Sequence, residues 1–229
     1  MLKKVFVAEF IGTAMLLATV VGSGIMGERL AGGNMALALL ANALATGAAL
    51  IALIATWGPR SGAHFNPLVT LAELALQRLD RRQAGVYLLA QVLGAVTGVM
   101  AAHAMFELPL LMISAHARTG PHQWWSEIVA TLGLLTVILN VAKTRPDVVP
   151  AAVGGYITAA YWFTASTSFA NPAVTLARSL TDTFSGIRPG DVPGFIVSQA
   201  VGAVLAVLLF QWFESAEPRS GNTNQHTSN

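Results

Sequence analysis

Six stretches of this chain are each long and apolar enough to cross a bilayer, and nothing else in the sequence limits its fold so strongly. A helical span needs about 20 apolar residues. Such runs lie at roughly 5–26, 35–57, 85–105, 124–142, 148–165 and 194–213. Backbone N–H and C=O groups cannot go unpaired in hydrocarbon, so apolar spans of this length are helices. Only 10% of the 229 residues are Asp, Glu, Lys or Arg, against about 25% in a soluble domain. So few charges cannot solvate a soluble surface, and a chain that is 54% hydrophobic is no disordered segment. The absence of Cys excludes a disulfide framework, a thiolate metal site and a Cys nucleophile. The 13 Lys and Arg are scattered over loops and form no stripe, which argues against a nucleic-acid partner. The partners left are the lipid bilayer and small solutes.

Six crossings put both termini on one side. Lys3, Lys4, Arg60, Arg78, Arg81, Arg82, Lys143, Arg145 and Arg219 fall on that side, and Arg29, Arg118, Arg178 and Arg188 on the other. The excess of basic residues makes the terminal side cytoplasmic, and the expected location is the inner (cytoplasmic) membrane, multi-pass. The opening Met1-Leu2-Lys3-Lys4 and its apolar run mimic a signal peptide, but the run is too long for one and reads as an uncleaved first span.

The two halves of the chain resemble each other. Ala8-Glu9-Phe10-Ile11-Gly12-Thr13 matches Ser126-Glu127-Ile128-Val129-Ala130-Thr131, and Gln91-Val92-Leu93-Gly94-Ala95 matches Gln199-Ala200-Val201-Gly202-Ala203. Asn66-Pro67-Leu68-Val69-Thr70-Leu71-Ala72 and Asn171-Pro172-Ala173-Val174-Thr175-Leu176-Ala177 agree at six of seven positions. The division expected is a first repeat over 1–118, a second over 119–214 and a disordered polar tail over 215–229. Three spans per half is an odd number, so the copies are inverted, and inverted repeats place a functional site near the midplane at their interface.

Two short apolar pieces, about 67–77 and 172–182, cannot cross, and each opens on Asn-Pro. Proline is favoured at the first helical position, where its missing N–H costs nothing. They read as half-helices entering from opposite sides, with N-termini meeting near the midplane, each carrying roughly half a positive charge that repels cations. Asn66 and Asn171 can cap the half-helices and still present an amide N–H to the lumen. The preceding stretches, Gly62-Ala63-His64-Phe65 and Ser166-Thr167-Ser168-Phe169, can offer carbonyls as an acceptor ladder. Two central donors and a wall of acceptors suit small neutral hydroxylated solutes. The fold expected is an all-α membrane protein with six transmembrane helices, two re-entrant half-helices and an inverted 3+3 repeat.

On Ala8-Glu9-Phe10-Ile11-Gly12-Thr13, Ser61-Gly62-Ala63-His64-Phe65-Asn66-Pro67, Gln91 and Asn171-Pro172-Ala173, the chain resembles the aquaporin and aquaglyceroporin family over about residues 4–213. The resemblance implies a passive pore in each subunit and a homotetramer, without cofactor, metal or enzymatic activity. Asn66, Pro67, Leu68, Asn171, Pro172 and Ala173 then form the pore centre; Leu68 departs from the family's usual Ala. Most members carry Arg three residues after the second Asn, where this chain has Val174. The other constriction positions, carried over by spacing, fall on Thr46, Ala159 and Ser168. This set holds no aromatic ring and no charge, which implies a wide, weakly polar filter. It is similar to bacterial aquaglyceroporins of arsenic-resistance operons, which implies conduction of neutral As(OH)3, glycerol and water.

Arg178 lies one turn after Val174, nearer the outer mouth. It is either a displaced filter cation, which would make the pore water-selective, or an interfacial charge that caps the half-helix or snorkels. Glu73 is its counterpart at the inner mouth, with the same two readings. Glu9 and Glu127 lie inside spans, where a carboxylate signals function, but no chain of titratable partners exists for a proton relay. They are expected to accept hydrogen bonds from the loops before the half-helices, with Gln91 and Gln199 serving the same end and His64 bracing its loop. A membrane-embedded enzyme or proton-coupled transporter lacks its constellation: Ser166, Thr167 and Ser168 have no His–Asp companions.

Overall fold

A computed structural model describes residues 2–216, and within them every regular element is helical. The helices are α1 (Leu2–Leu30), α2 (Met35–Ser61), α3 (Pro67–Ala75), α4 (Arg81–Met105), α5 (Pro121–Thr144), α6 (Val149–Phe163), α7 (Pro172–Arg178) and α8 (Val192–Ala216). The order of two long helices, one short helix and one long helix thus occurs twice. Five of the long helices, α1, α2, α4, α5 and α8 with the turn before it, are long and apolar enough to cross a membrane.

The sixth expected span is shorter than its apolar run. α6 has 15 residues, preceded by a 3-10 turn over Pro146–Val148. At ~1.5 Å per α residue and ~2 Å per 3-10 residue the two together reach about 28 Å, close to the ~30 Å hydrocarbon thickness. The run stops because Thr164 is extended (φ −111, ψ 138) and begins the loop that feeds α7.

The half-helices are also shorter than the 67–77 and 172–182 of the apolar pattern. α3 ends at Ala75 because Gln77 turns into the left-handed region (φ 59). α7 ends at Arg178 because the chain beyond it pairs with another loop: Met112 N donates to Leu180 O and Ser114 N to Ser179 O, each at 3.0 Å. α8 carries Ser215 and Ala216, the first two residues of the expected tail; the rest of that stretch, 217–229, lies outside the described residues.

Small residues set the helix packing. α1 lies against α4 and α2, α5 against α8 and α6, and α2 against α6. A side chain at Gly94 would strike the carbonyl of Phe10, and one at Gly98 the carbonyl of Ala14. Gly202 stands in the same relation to Ile128 O in the second half. Close backbone approach of this kind is how helices associate where lipid supplies no hydrophobic drive between them. Large apolar side chains such as Leu30, Trp125, Phe163, Val197 and Trp212 are left exposed on the outside.

Both ends of the described residues lie on one side. Ser61 at the end of α2 bonds Glu9 near the start of α1. Tyr87 near the start of α4 donates to Ser61 O at 2.6 Å. Arg78 stacks over Phe210 of α8, and Lys143 pairs with Glu214 at 2.6 Å. This is the terminal side below; the opposite one is the far side.

Candidate functional site

The two Asn-Pro pairs start α3 and α7 through the same local chemistry. Each Asn is extended and caps its helix: Asn66 Oδ1 accepts from Leu68 N at 2.9 Å, and Asn171 Oδ1 from Ala173 N at 3.0 Å and Val174 N at 3.2 Å. Pro67 and Pro172 follow at the first helical position. The amide nitrogens then cross between the halves. Asn66 Nδ2 donates to Ala170 O, and Asn171 Nδ2 to Phe65 O, both at 2.8 Å. Each amide has two N–H bonds, so one clasps the opposite loop and the other remains for the lumen.

The loops before the two Asn run through conformations that L-residues avoid. Ala63, Phe65, Thr167, Ser168 and Ala170 all have φ between 48° and 61°, at a cost of roughly 1–2 kcal/mol each. Two buried carboxylates hold them there. Glu9 accepts from Ser61 Oγ (2.6 Å), His64 N (3.0 Å), Phe65 N (2.8 Å) and Gln91 Nε2 (2.9 Å). Glu127 accepts from Phe169 N (2.9 Å), Ala170 N (2.8 Å) and Gln199 Nε2 (2.6 Å). With these N–H groups turned to the carboxylates, loop carbonyls are released to other directions, two of them to the Asn clasp. Hydrogen bonds to an ionised acceptor are about twice as strong as neutral ones, enough to offset the strained dihedrals.

Two residues of this scaffold escaped the sequence reading. Gln91 Nε2 also donates to Thr70 Oγ1 (3.0 Å), and Gln199 Nε2 to Thr175 Oγ1 (2.8 Å). Thr70 and Thr175 are the fifth residues of the repeated heptapeptides, and that identity was the available signal. His64 Nδ1 lies 3.0 Å from Thr70 Oγ1 with its ring 4.6 Å from that of Tyr87, so it is tied to the same scaffold.

Between the halves runs a cavity of about 290 Å³. Its terminal-side end is lined by Glu73, Ala142 and Val149, its middle by Asn66 and Asn171, and its far-side end by Phe169 and Arg178. Part of its lining is apolar, from Leu16, Val20, Leu50, Leu134, Val153 and Ile157; the loops contribute Gly62–Phe65 and Ser168–Ala170. Of the four filter positions, Thr46, Ser168 and Val174 line this cavity. Ser168 Oγ is buried without a hydrogen-bond partner among the described residues.

Ala159 does not line it. Its side chain is exposed on the outer face of α6, and Tyr161 stands in the cavity instead, 3% exposed, with its hydroxyl 3.3 Å from Thr46 Oγ1. Counting back from Asn171 lands on Ala159, but the residue of this stretch of α6 that lines the cavity is Tyr161, two positions later. Tyr161 and Arg178, a ring and a charge that the expected filter set did not include, line the same cavity as Thr46, Ser168 and Val174.

Arg178 neither caps its half-helix nor snorkels. It is 2% exposed, its Nε donates to Ser185 O, and its guanidinium carbon sits 3.4 Å from the centroid of the Phe169 ring. Arg118, from the loop between α4 and α5, approaches the same ring at 5.1 Å. Its Nε donates to Gly186 O at 2.8 Å and its Nη2 to Phe184 O at 3.2 Å. Burial lowers the Arg118 pKa to about 10, against raising contributions from Tyr161 and Glu127, which leaves it charged at neutral pH. At the other end Glu73 pairs with Arg78 at 3.4 Å. No group of three or more His, Cys, Asp or Glu among the described residues could hold a metal ion.

Comparison with known proteins decides the family. The model of the Major intrinsic protein family matches residues 1–166 and again 146–229. The chain belongs to the major intrinsic protein family. As a member it is a multi-pass membrane channel for water and small solutes such as glycerol, and not an enzyme. It is 54% identical over 223 residues to the aquaglyceroporin AqpS of Rhizobium meliloti, covering 97% of this chain and 95% of that one. It is 30% identical over 244 residues to the aquaporin AqpM of Methanothermobacter marburgensis, covering 93% and 98%. The crystal structure of the aquaglyceroporin from Plasmodium falciparum shares the major intrinsic protein fold with a TM-score of 0.72 at 21% identity, over 94% of this chain and 97% of that one.

Proposed function

We propose that this channel passes water, glycerol and neutral trivalent metalloid acids such as As(OH)3 passively, down their gradients. The observation that carries the reading is the two-sided cavity. Paired Asn amides and loop carbonyls on one wall can replace a hydration shell, and the apolar wall opposite accepts the carbon side of a polyol. A triol fits that pattern whether its centre is carbon or arsenic. Val174 is the smaller, uncharged occupant where most of the family would place Arg, and it leaves room for solutes bulkier than water. The pore centre is then Asn66, Pro67, Leu68, Asn171, Pro172 and Ala173, with Thr46, Tyr161, Ser168 and Val174 as the filter. Glu9, Glu127, Gln91, Gln199 and His64 support the pore loops. We read the molecule as a homotetramer in the inner membrane with cytoplasmic termini, so that Arg178 stands at the outer mouth.

Stopped-flow swelling of proteoliposomes in glycerol and As(OH)3 gradients tests this. Permeability to both well above that of protein-free vesicles is expected, and equality with those vesicles rejects it. A second reading, a water-selective pore, draws support from Arg178 facing the cavity beside Tyr161. It predicts fast water flux with glycerol excluded until Arg178→Ala is made.

A further inference from the structure

Arg178 and Arg118 place two guanidinium groups around one aromatic ring at the far-side mouth, and neither is in a salt bridge among the described residues. Buried charges are ordinarily paired. The nearby carboxylates are committed elsewhere. Glu127 accepts from three donors of the pore loop. Asp191 accepts from the backbone N–H of Arg118 and from Arg188, at 2.9 and 3.0 Å. Asp182 accepts from Ala115 N at 2.9 Å. Arg178 spends only Nε on protein, and its Nη1 and Nη2 carry no hydrogen bond among the described residues. The Arg178 guanidinium carbon sits 3.4 Å from the centroid of the Phe169 ring, a cation–π contact that restrains the fork.

We propose that the far-side mouth is a binding site for a small monovalent oxyanion of carboxylate type, seated on the open Nη edge of Arg178 in the field of Arg118, and that an anion held there obstructs the pore. A planar fork with two free parallel donors matches two oxygens of one oxyanion. The site is confined: Arg178 lines the cavity, and the whole cavity holds about 290 Å³. That admits acetate and excludes large or polymeric anions. Electrostatics of the loop agree. His116 has its pKa lowered by burial first and then by Arg118 and Arg178, against the opposing pull of Asp182 and Glu28. His116 therefore senses both cations and reports on their neutralisation. The obstruction of flux rests on the pore reading above; the binding does not.

The test uses the intact chain in phosphatidylcholine nanodiscs, titrated with sodium acetate against sodium chloride at constant ionic strength. The imidazole signal of His116, assigned by its loss in His116→Gln, is followed by NMR. Acetate is expected to raise the His116 pKa saturably, and chloride to leave it within the ionic-strength effect. Arg178→Lys keeps the charge but loses the fork, so acetate should bind about tenfold more weakly; Arg118→Gln should weaken it as well. Saturable inhibition of glycerol efflux by external acetate is the second readout. No acetate-specific shift of His116 in the intact chain overturns the site, as does a shift undiminished in Arg178→Gln. Glycerol flux at the protein-free level without acetate rejects the pore reading instead, and the His116 titration still decides the site.

Discussion

Replacing Glu127 by Gln isolates what the buried carboxylate does. The side chain keeps its shape, but one acceptor oxygen becomes an NH2. The least costly orientation keeps oxygen toward Ala170 N and Gln199 Nε2 and turns the NH2 against Phe169 N. That leaves one buried backbone N–H unpaired, at about 1–3 kcal/mol, and reduces two charge-assisted bonds to neutral ones, at about 1 kcal/mol each. The local loss is about 3–5 kcal/mol. It falls on a loop that already holds Thr167, Ser168 and Ala170 at positive φ. Global stability is a poor readout, because removing a buried charge relieves a desolvation penalty of several kcal/mol that opposes this loss. The Phe169 amide is a clean one. Orphaning it should raise its hydrogen-exchange rate roughly 5- to 150-fold, with solute flux falling as the carbonyl wall relaxes. Wild-type exchange at Phe169 together with wild-type flux would refute the assignment of Glu127 as the anchor of this loop. Glu9→Gln should orphan His64 N in the same way, while the Ser61 hydroxyl can turn to accept from the new amide.

Tyr161→Ala should widen the filter and raise permeability to bulkier polyols in stopped-flow assays, whereas Ala159→Leu, on the outer face of the same helix, should leave it unchanged; the reverse pattern would return Ala159 to the filter. Val174→Arg should narrow the cavity and lower glycerol and As(OH)3 flux while affecting water less, and equal uptake by both channels would show that Val174 lies off the path. Gly98→Leu drives a side chain into the Ala14 carbonyl, so thermal unfolding in detergent should show a loss of about 1–3 kcal/mol or more, and an unchanged midpoint would mean that α1 and α4 can part without cost.

What could be read in the sequence was whatever is encoded by local pattern or by repetition. Apolar length located the five helices long enough to cross and, in α6, the sixth apolar run, because hydrocarbon enforces it. Asn-Pro located both half-helix starts, because the cap and the first-turn proline are local chemistry. The match of Glu9 with Glu127 and of Gln91 with Gln199 pointed to their shared work, since a pair kept at equivalent places in inverted halves holds equivalent loops. Thr70 and Thr175 were equally visible in the repeat, but a threonine inside a helix carries no charge and drew no question about what it bonds. Helix ends were less legible: α7 stops where its chain pairs with residues 112–114, and no local pattern announces a partner that distant.

The filter was the least legible part, and the reason is geometric. A constriction is made by side chains from different elements that converge on one line, so its membership depends on the length of every loop between them. A miscount of two residues exchanges an alanine facing outward for a tyrosine facing in. The same holds for charge. With Val174 in place of Arg, the sequence left open whether Arg178 faces the pore or the interface, and Arg178 enters the cavity from the next turn because Ser185 O and the Phe169 ring hold it there. Val174 and Arg178 thus place an uncharged side chain and a cation one turn apart on α7. Beside the Asn pair the lining carries Val174, and the cation of Arg178 stands one turn further toward the mouth. On the proposed reading, size is sorted at Val174 and Tyr161 and charge at Arg178, so substitutions at the two places should alter the two selectivities independently; a coupled change in both would refute that division.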